Sequence, residues 1–237
     1  MDAQDKEHPF PEGEKLEFSM KWAGLKVGNA TLERMPDAEI DGRPSLHFNM
    51  TAKTYGIADK IYKVRDNIHS YTDPQLRNTV LYTKQQREGK TNREIRVTFD
   101  RDKQVATYHN FGKAEGTVEV RDGILDPLSV MYSLRSKEFE VGKPIHLPAT
   151  DGKKVINIKV GVVSEEEIKV PAGKFQAYKI VPGTGELRGV FEKSKDSKIE
   201  IWMGKEKPHY PLKMKSKVIV GSFTGKLEKI HKPGEEK

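Results

Sequence analysis

Three lysines at alternate positions form a candidate binding stripe in this sequence. Lys213, Lys215 and Lys217 lie in the stretch PLKMKSKVIVGSFTGKL, with apolar or small residues between them. In an extended chain, alternate side chains share a face and lie roughly 6.5–7 Å apart, close to the phosphate repeat of a nucleic acid strand. Nucleic-acid-binding proteins usually concentrate positive charge and interleave exposed aromatic residues, and neither feature is visible here. We therefore interpret the lysines as the solvated face of a half-buried strand, with contact to phosphate or an anionic membrane surface as the alternative.

The residue patterns of catalytic and cofactor-binding sites are incomplete in this sequence. Gly89-Lys90-Thr91 resembles the end of a P-loop, but the glycine that the motif requires at position 84 is a lysine. None of the seven histidines pairs with another at helix or strand ligand spacing, and the serine hydrolase motif G-x-S-x-G is missing. The chain has no cysteine, which excludes thiol catalysis and cysteine-ligated metals. We expect no catalytic residues, no metal site and no cofactor.

Two arginines are candidates for recognising an anionic ligand. Arg65 lies beside Asp66 in IYKVRDNIHSYTD, where the two could form an ion pair or an anion-recognition point. Arg135 lies at the end of a predicted helix, where it could interact with the helix dipole or anchor a ligand. Aromatic side chains could contribute the wall of a cavity beside these arginines. The predicted ligand-binding residues are Trp22, Tyr62, Arg65, Tyr132 and Arg135.

The elements that must position these residues are mainly β-strands, because apolar and polar residues alternate along most of the chain. In KLEFSMKW, for example, Leu16, Phe18, Met20 and Trp22 fall on one face of an extended chain. Asp-Gly pairs, which favour tight hairpins, separate several such segments. On the order of ten or more short strands are expected, which is typical of an antiparallel sheet closed or nearly closed on itself.

One segment near the middle of the chain predicts a helix. In LDPLSVMYSLRSKE, Asp126 occupies the N-cap and Pro127 the first helical position, and Leu128, Met131 and Leu134 recur at helical spacing. Such a helix could plug or cover a strongly curved sheet. The predicted fold is therefore mainly all-β: a strongly curved antiparallel sheet that forms an open or spiral β-barrel, with one short helix around residues 126–137.

Length and composition allow a single large β-domain. The chain has 237 residues, of which 35% are hydrophobic, and a formal net charge of +7 that favours anionic surfaces without specifying a fold. No run approaches the ~18 apolar residues of a membrane helix. The polar start MDAQDKEHPFPEGEK is not a signal peptide as written, although a mature exported chain whose leader was removed would look the same. We expect a disordered N-terminal tail (1–12), a single β-barrel-like domain (13–230) and a C-terminal tail (231–237).

Five stretches, in order along the chain, resemble the domain-of-unknown-function family 3108, a group of exported bacterial proteins. The resemblance extends from about Gly13 to Leu227, and includes a glycine-rich hairpin, an Asp-Pro-Leu-Ser helix start, a Pro-Ala-Gly turn and a late Ile-Trp strand. It implies an exported cell-envelope protein with a strongly curved antiparallel sheet, similar in outline to the half-barrels that carry lipoproteins or lipids across the periplasm. It implies no enzyme activity and no site residues. The stretches are GEKLEFSMKWAGLKVGNATLE, YKVRDNIHSYTD, DPLSVMYSLRS, VPAGKFQAYKIVP and IEIWMGKEKPHYPLKMKSKVIVGSFTGKL.

The leading hypothesis is a non-catalytic binding or scaffold protein in the periplasm of a Gram-negative bacterium, with membrane association left open. Its curved sheet would hold a lipid or another apolar or anionic ligand in a cavity lined by the predicted ligand-binding residues. The alternative is a structural module of the envelope with a filled core, which docks a protein partner through its loops or open edges. A hydrolase acting on a wall or lipid substrate is least favoured. Nucleic acid is not an expected partner, and no transmembrane segment is expected.

Overall fold

The computed structural model describes residues 9–183, 199–217 and 222–234. Within these ranges the chain forms two short helices, α1 (Gly56–Ile61) and α2 (Pro127–Ser136). It also forms fourteen strands: β1 (Lys15–Trp22), β2 (Leu25–Ile40), β3 (Arg43–Thr54), β4 (Arg65–Thr72), β5 (Thr79–Glu88), β6 (Thr91–Asp100), β7 (Val105–Asn110), β8 (Lys113–Glu119), β9 (Ile145–Thr150), β10 (Val155–Val170), β11 (Gly173–Pro182), β12 (Ile199–Gly204), β13 (Pro211–Lys217) and β14 (Ser222–His231).

All fourteen strands belong to one antiparallel sheet. Its order is β8-β7-β6-β5-β4-β3-β2-β1-β14-β13-β12-β11-β10-β9, so strands that follow one another in the chain are neighbours in the sheet except β8 and β9, and β1 pairs with β14. The sheet is not closed into a barrel, because β8 and β9 remain as its two edges. The turn between β2 and β3 shows the predicted chemistry, since Asp41 and Gly42 both have positive φ angles, of 50° and 74°. The predicted mainly all-β, open antiparallel fold is therefore confirmed.

The predicted helix is confirmed as α2. The carboxylate of Asp126 accepts hydrogen bonds from the backbone N–H groups of Leu128 (2.8 Å) and Ser129 (3.0 Å). It also accepts from the hydroxyls of Ser70 on β4 (2.5 Å) and Thr79 on β5 (2.7 Å). The cap therefore does two things: it satisfies the free N–H groups of the helix start, and it fixes α2 to the sheet.

The sheet curves around α2. The helix contacts β3 and β4 on one side and the edge strand β9 on the other, although these strands are far apart in the sheet order. On the first side, Leu128 and Tyr132 join a buried cluster with Phe48 of β3. On the second, Val130 and Leu134 join a larger buried cluster with strands β9 to β12. Both faces of the helix are thus covered, and α2 fills the space that the curved sheet encloses.

Two features were not predicted from the sequence. The helix α1 joins β3 to β4, and none of its residues is buried. Phe10 falls in the segment predicted as a disordered tail, yet it is buried, with its ring edge-on to that of Tyr132 at a centroid distance of 5.4 Å. An aromatic ring of this size gains from burial in the core, so the ordered part of the chain begins before the first strand.

Candidate functional site

The five residues predicted to bind a ligand lie in three places. Tyr132 and Arg135 are both on α2, in the interior, with the guanidinium carbon 5.2 Å from the centre of the tyrosine ring. Tyr62 and Arg65 flank the connection from α1 to β4. Trp22 ends β1, where it pairs with Phe223 of β14. The structure therefore unites two of the five in the interior and two beside α1, and it does not assemble all five around one cavity.

Arg135 forms a buried, two-pronged ion pair with Glu14. The arginine is 0% and the glutamate 1% exposed, and the two nitrogen–oxygen distances are 2.8 and 2.9 Å. The guanidinium carbon also lies 4.5 Å from the ring centre of Phe10 and 5.3 Å from that of Tyr210. A charge this well enclosed is stable only because an opposite charge and aromatic faces surround it. Glu14 lies 121 residues away in the chain, so no local sequence pattern pointed to it.

Tyr132 is part of the same interior cluster. Its ring stacks on that of Phe48 at a centroid distance of 3.8 Å. Burial raises the pKa of its hydroxyl, and the oxygen has no hydrogen-bond partner among the residues that the structure describes. Tyr132 and Arg135 are therefore enclosed by protein on all sides, and a ligand would reach them only if this packing opened.

Arg65 holds α1 in place. Its guanidinium makes two hydrogen bonds to the carboxylate of Asp59, at 2.7 and 3.0 Å, and Asp59 also accepts from the Thr54 hydroxyl at 2.6 Å. This carboxylate replaces Asp66, the neighbour considered as a partner from the sequence. Adjacent side chains in a strand point to opposite faces of the sheet, which keeps Asp66 away from Arg65.

A groove of about 570 Å³ lies over the strands from β14 to β5. The row Leu16, Leu32, Met50 and Ile68 runs across β1 to β4 and packs into the core. The adjacent row, Glu17, Thr31, Thr51 and Asn67, must face the other way, because successive side chains along a strand alternate between the two faces of the sheet. Most groove residues belong to such rows, so the groove is on the outer face of the sheet. Its lining is Lys15, Glu17, Phe18, Asn29, Ala30, Thr31, Glu33, Thr51, Ala52, Lys53, Arg65, Asp66, Asn67, Gln85, Arg87 and Glu228.

The floor of the groove is uncharged and polar. Thr31, Thr51 and Asn67 lie side by side on β2, β3 and β4, and the two threonine hydroxyls are 2.8 Å apart. Gln85 extends this row onto β5. Side chains of both charge signs surround the floor, as in the pair Lys15–Glu33 at 3.9 Å. The arrangement offers many hydrogen-bond donors and acceptors and little apolar surface.

Asp66 borders the groove and has a strongly perturbed carboxyl group, but its side chain faces the same way as that of Ile68, two residues on, and so away from the outer face. Burial raises its pKa to about 7, with a further contribution from a hydrogen bond to the carboxyl of Glu88. Lys84, at 3.8 Å, and the backbone N–H of Arg87, at 3.0 Å, act in the opposite direction. The acid is therefore partly protonated near neutral pH. Networks of charged groups also perturb carboxyl pKa values, and Asp66 belongs to one with Glu88 and Lys84.

The polar outer face continues beyond the groove. Asn67 accepts a hydrogen bond from Asn49 at 2.7 Å, and the rings of His47 and His69 are joined by a nitrogen–nitrogen contact of 2.9 Å. Burial lowers the pKa of His47 to about 4, so the pair is neutral at pH 7. In the described ranges, no group of three or more His, Asp or Glu side chains lies close enough together to hold a metal ion.

The lysine stripe lies on β13. Lys213 places its ammonium 4.0 Å from the ring centre of Trp202, and burial lowers its pKa. Lys215 is exposed, and the side chain of Lys217 is outside the described part of the chain. Lys213 is thus engaged in a cation–π contact within the sheet surface. Lys215 is the one described member that faces solvent fully.

The family model of the protein family of unknown function DUF3108 matches residues 17–228. The chain belongs to the DUF3108 family. The resemblance noted in the sequence is therefore confirmed over nearly the whole length of the sheet. Among curated proteins, none matches this chain. Neither α1 nor α2 of this DUF3108 protein has the length and apolar run that a bilayer-crossing helix requires.

Solved structures show the fold in other proteins. A β-barrel-like protein of the family DUF1849 from Brucella abortus has a TM-score of 0.62 at 12% identity, over 94% of this chain and 98% of that one. An inferred exported protein with a YmcC-like fold from Bacteroides fragilis has a TM-score of 0.37 at 11% identity, over 94% and 98% of the chains. An inferred lipoprotein from Parabacteroides distasonis has 0.38 at 12% identity, over 96% and 100%. The first establishes a shared β-barrel-like fold; the other two scores are too low to support an argument.

Proposed function

We propose that this DUF3108 protein is a non-catalytic binding or scaffold protein of the bacterial cell envelope, which binds through its outer groove. The observation that carries the proposal is the filled interior: α2 occupies the space inside the sheet, and Tyr132 and Arg135 on it are 0% exposed. A carrier for an acyl chain needs an apolar cavity, usually of several hundred Å³. In the described part of the chain, a space of that size lies instead in the groove on the other face of the sheet.

The location in the envelope rests on the family resemblance, which implies exported bacterial proteins. Membership of the family supports it. The absence of cysteine is compatible with this location, because a cysteine-free chain folds without disulfide chemistry in an oxidising compartment.

The ligand chemistry that fits the groove is polar. Hydroxyl and amide groups of Thr31, Thr51, Asn67 and Gln85 can bond to hydroxyl and amide groups of a ligand, while an acyl chain would leave them unsatisfied. Charged side chains of both signs at the margins exclude a strong preference for anions or cations. A glycan that carries hydroxyl and acetamido groups has the required chemistry.

The test uses chitotetraose, a soluble glycan with both groups, in isothermal titration calorimetry. We expect weak binding that is lost in the variant Thr51→Val/Asn67→Leu. The matched control is Thr117→Val/Asn92→Leu, which makes the same changes at exposed positions on β8 and β6, outside the groove. Binding that persists equally in both variants would contradict the role of the groove.

Native mass spectrometry of gently purified protein tests the competing carrier hypothesis. We expect the mass of the chain alone. A lipid that co-purifies, and that is lost in Tyr132→Ala but retained in Thr51→Val/Asn67→Leu, would overturn the proposal and restore the interior as the binding site.

A further inference from the structure

One end of the sheet carries an unusual concentration of exposed apolar side chains. In the described part of the chain, ten large apolar or aromatic residues are exposed, and six of them lie together around the β1–β2 and β3–β4 connections and the start of β14. Monomeric proteins rarely leave such a group in water without a binding partner. We call this surface the apolar loop end and define it as Leu25, Tyr55, Ile57, Ile61, Tyr62 and Phe223.

The topology explains why residues so distant in sequence meet there. In an up-and-down antiparallel sheet, every second connection emerges at the same end. The β1–β2 turn reaches β14 through the bond from Ala23 N–H to the Ser222 carbonyl, at 3.0 Å. The β3–β4 connection, which contains α1, reaches β2 through the bond from Tyr55 N–H to the Val27 carbonyl, at 3.1 Å. Neighbouring connections thus form one continuous surface.

The helix α1 forms the centre of this surface. Ile57 and Ile61 are four residues apart, share one face of the helix, and are 76% and 74% exposed. The opposite side is anchored: Asp59 binds Arg65 and Thr54. The ring of Tyr62 packs on Gly89, where an added Cβ would come within 2.6 Å of the ring. The sheet therefore holds α1 with its apolar face directed into solvent.

Unpaired positive charge surrounds the apolar side chains. Lys53, Lys60, Lys63 and Lys90 are exposed, and none forms an ion pair with a residue that the structure describes. The carboxylates in the same region are largely compensated: Asp59 pairs with Arg65 and Glu228 pairs with Lys26 at 2.8 Å, while Asp66 and Glu88, near Tyr62, are hydrogen-bonded to each other and Asp66 lies 3.8 Å from Lys84. The margin of the loop end is therefore positive, in a chain whose net charge is already +7.

We propose that the apolar loop end docks on an anionic lipid membrane surface. Isoleucine and leucine would enter the boundary between headgroups and acyl chains, the tyrosines would lie at headgroup level, and the lysines would contact lipid phosphates. A protein partner would need a pocket shaped to these protruding side chains, whereas a fluid bilayer accommodates them without one. The margin of lysines is the feature that selects lipid phosphate. Docking uses other residues than the groove floor, so it does not depend on what the groove binds.

The experiment measures binding of the whole chain to vesicles of equal parts phosphatidylcholine and phosphatidylglycerol, by co-sedimentation and by tryptophan emission. Trp22 borders the loop end and is half-buried, while Trp202 is buried, so a blue shift on vesicle addition reports Trp22. We expect binding that the variant Ile57→Asp/Ile61→Asp weakens by at least about tenfold, because two exposed isoleucines supply much of the apolar area. Lys60→Glu/Lys63→Glu should weaken it by about tenfold, and high salt should do the same.

The matched control is Val141→Asp/Val163→Asp, which adds the same charge at two exposed apolar positions outside the loop end, 49% and 54% exposed. It should bind vesicles like the wild type, as should the groove variant Thr51→Val/Asn67→Leu. Three results would overturn the proposal: no binding to anionic vesicles, equal binding by the isoleucine variant, or equal binding to pure phosphatidylcholine. A dimer in analytical ultracentrifugation that only the isoleucine variant dissociates, without vesicle binding, would assign the surface to a second copy of the chain.

Discussion

The two helices of this protein are each fixed by an arginine that contacts both oxygens of a carboxylate, but in opposite environments. Arg135 on α2 binds Glu14 at 2.8 and 2.9 Å in the interior, where both side chains are excluded from water. Arg65 on β4 binds Asp59 of α1 at 2.7 and 3.0 Å near the surface. The nitrogen–oxygen distances are nearly the same, while the burial differs completely.

The difference separates stability from recognition. Around α2, the large side chains are buried except for the partly buried Met131, so the ion pair there contributes to a packed core. Around α1, the ion pair secures only the polar side of the helix and leaves Ile57 and Ile61 in water. A buried charge pair is costly to disrupt, whereas an exposed pair is weak and screened by salt. We therefore expect substitutions near α2 to affect folding and substitutions near α1 to affect binding.

The largest effect is expected from breaking the interior pair on one side. Glu14→Gln leaves the guanidinium of Arg135 without a counter-charge in a site that water does not reach. We expect the free energy of unfolding, measured by urea denaturation, to fall by about 3–5 kcal/mol. The double variant Glu14→Gln/Arg135→Met should recover part of this loss, because no charge is then buried alone.

The variant Arg65→Met, which breaks the Arg65–Asp59 pair at the surface, tests the contrast with the buried Arg135–Glu14 pair. This variant removes the same kind of contact, so its unfolding free energy should fall far less than that of Glu14→Gln. Equal losses at the two sites would contradict the distinction between them.

The second-largest loss of stability is expected from removing the cap of α2. Asp126→Ala removes the acceptor for two backbone N–H groups and for the hydroxyls of Ser70 and Thr79. We expect a loss of about 2–3 kcal/mol in urea denaturation, combining the cap with hydroxyls left buried without a partner. Asp126→Asn keeps one acceptor oxygen and should lie between Asp126→Ala and the wild type; a loss as large as that of alanine would show that the charge, and not the cap, matters.

The same contrast explains which parts of the structure the sequence could predict. The helix α2 carries local signals: a capping Asp126, a proline after it, and apolar residues at helical spacing. The strands carry period-two alternation. In α1, by contrast, the segment GIADKI is six residues long, buries no side chain, and begins after Tyr55, whose side chain makes no cap bond. Its position depends on Arg65 and Thr54, which come from the strands around it.

The candidate sites depended on pairings between distant parts of the chain. Arg135 meets Glu14 across 121 residues of intervening chain, a separation that leaves no local pattern. The groove floor joins Thr31, Thr51 and Asn67 only through the register of three strands. Residue types alone suggested arginines and aromatics as ligand contacts. That prediction remains untested, and the structure places those residues in separate regions.

The third prediction concerns pH and Asp66. Burial and Glu88 raise the pKa of Asp66 from 3.8 to about 7 in the folded state, so the folded chain binds a proton that the unfolded chain releases. The contribution of this group to stability is fully present below pH ~4 and is lost as the pH rises through ~7. Relative to Asp66→Asn, the wild type should lose at least about 1 kcal/mol between these limits, the value of one pKa unit.

Urea denaturation of both proteins at several pH values measures this difference. The comparison with Asp66→Asn also removes the opposite effect of His47, whose lowered pKa makes the fold less stable as the pH falls from 6.5 to about 4. Parallel curves for the two proteins would contradict the assignment of a raised pKa to Asp66.

The smallest effect on stability is expected at the apolar loop end. Ile57→Asp/Ile61→Asp changes two side chains that touch little else, and it leaves the contacts of Asp59, Arg65 and Thr54 intact. The unfolding free energy should stay within about 0.5 kcal/mol of the wild type, as for other surface substitutions. Measured beside the vesicle assay, this result would show that α1 presents its isoleucines for contact with another surface. If the variant instead unfolded as readily as Glu14→Gln, the isoleucines would belong to a core contact, and the two helices would share one role.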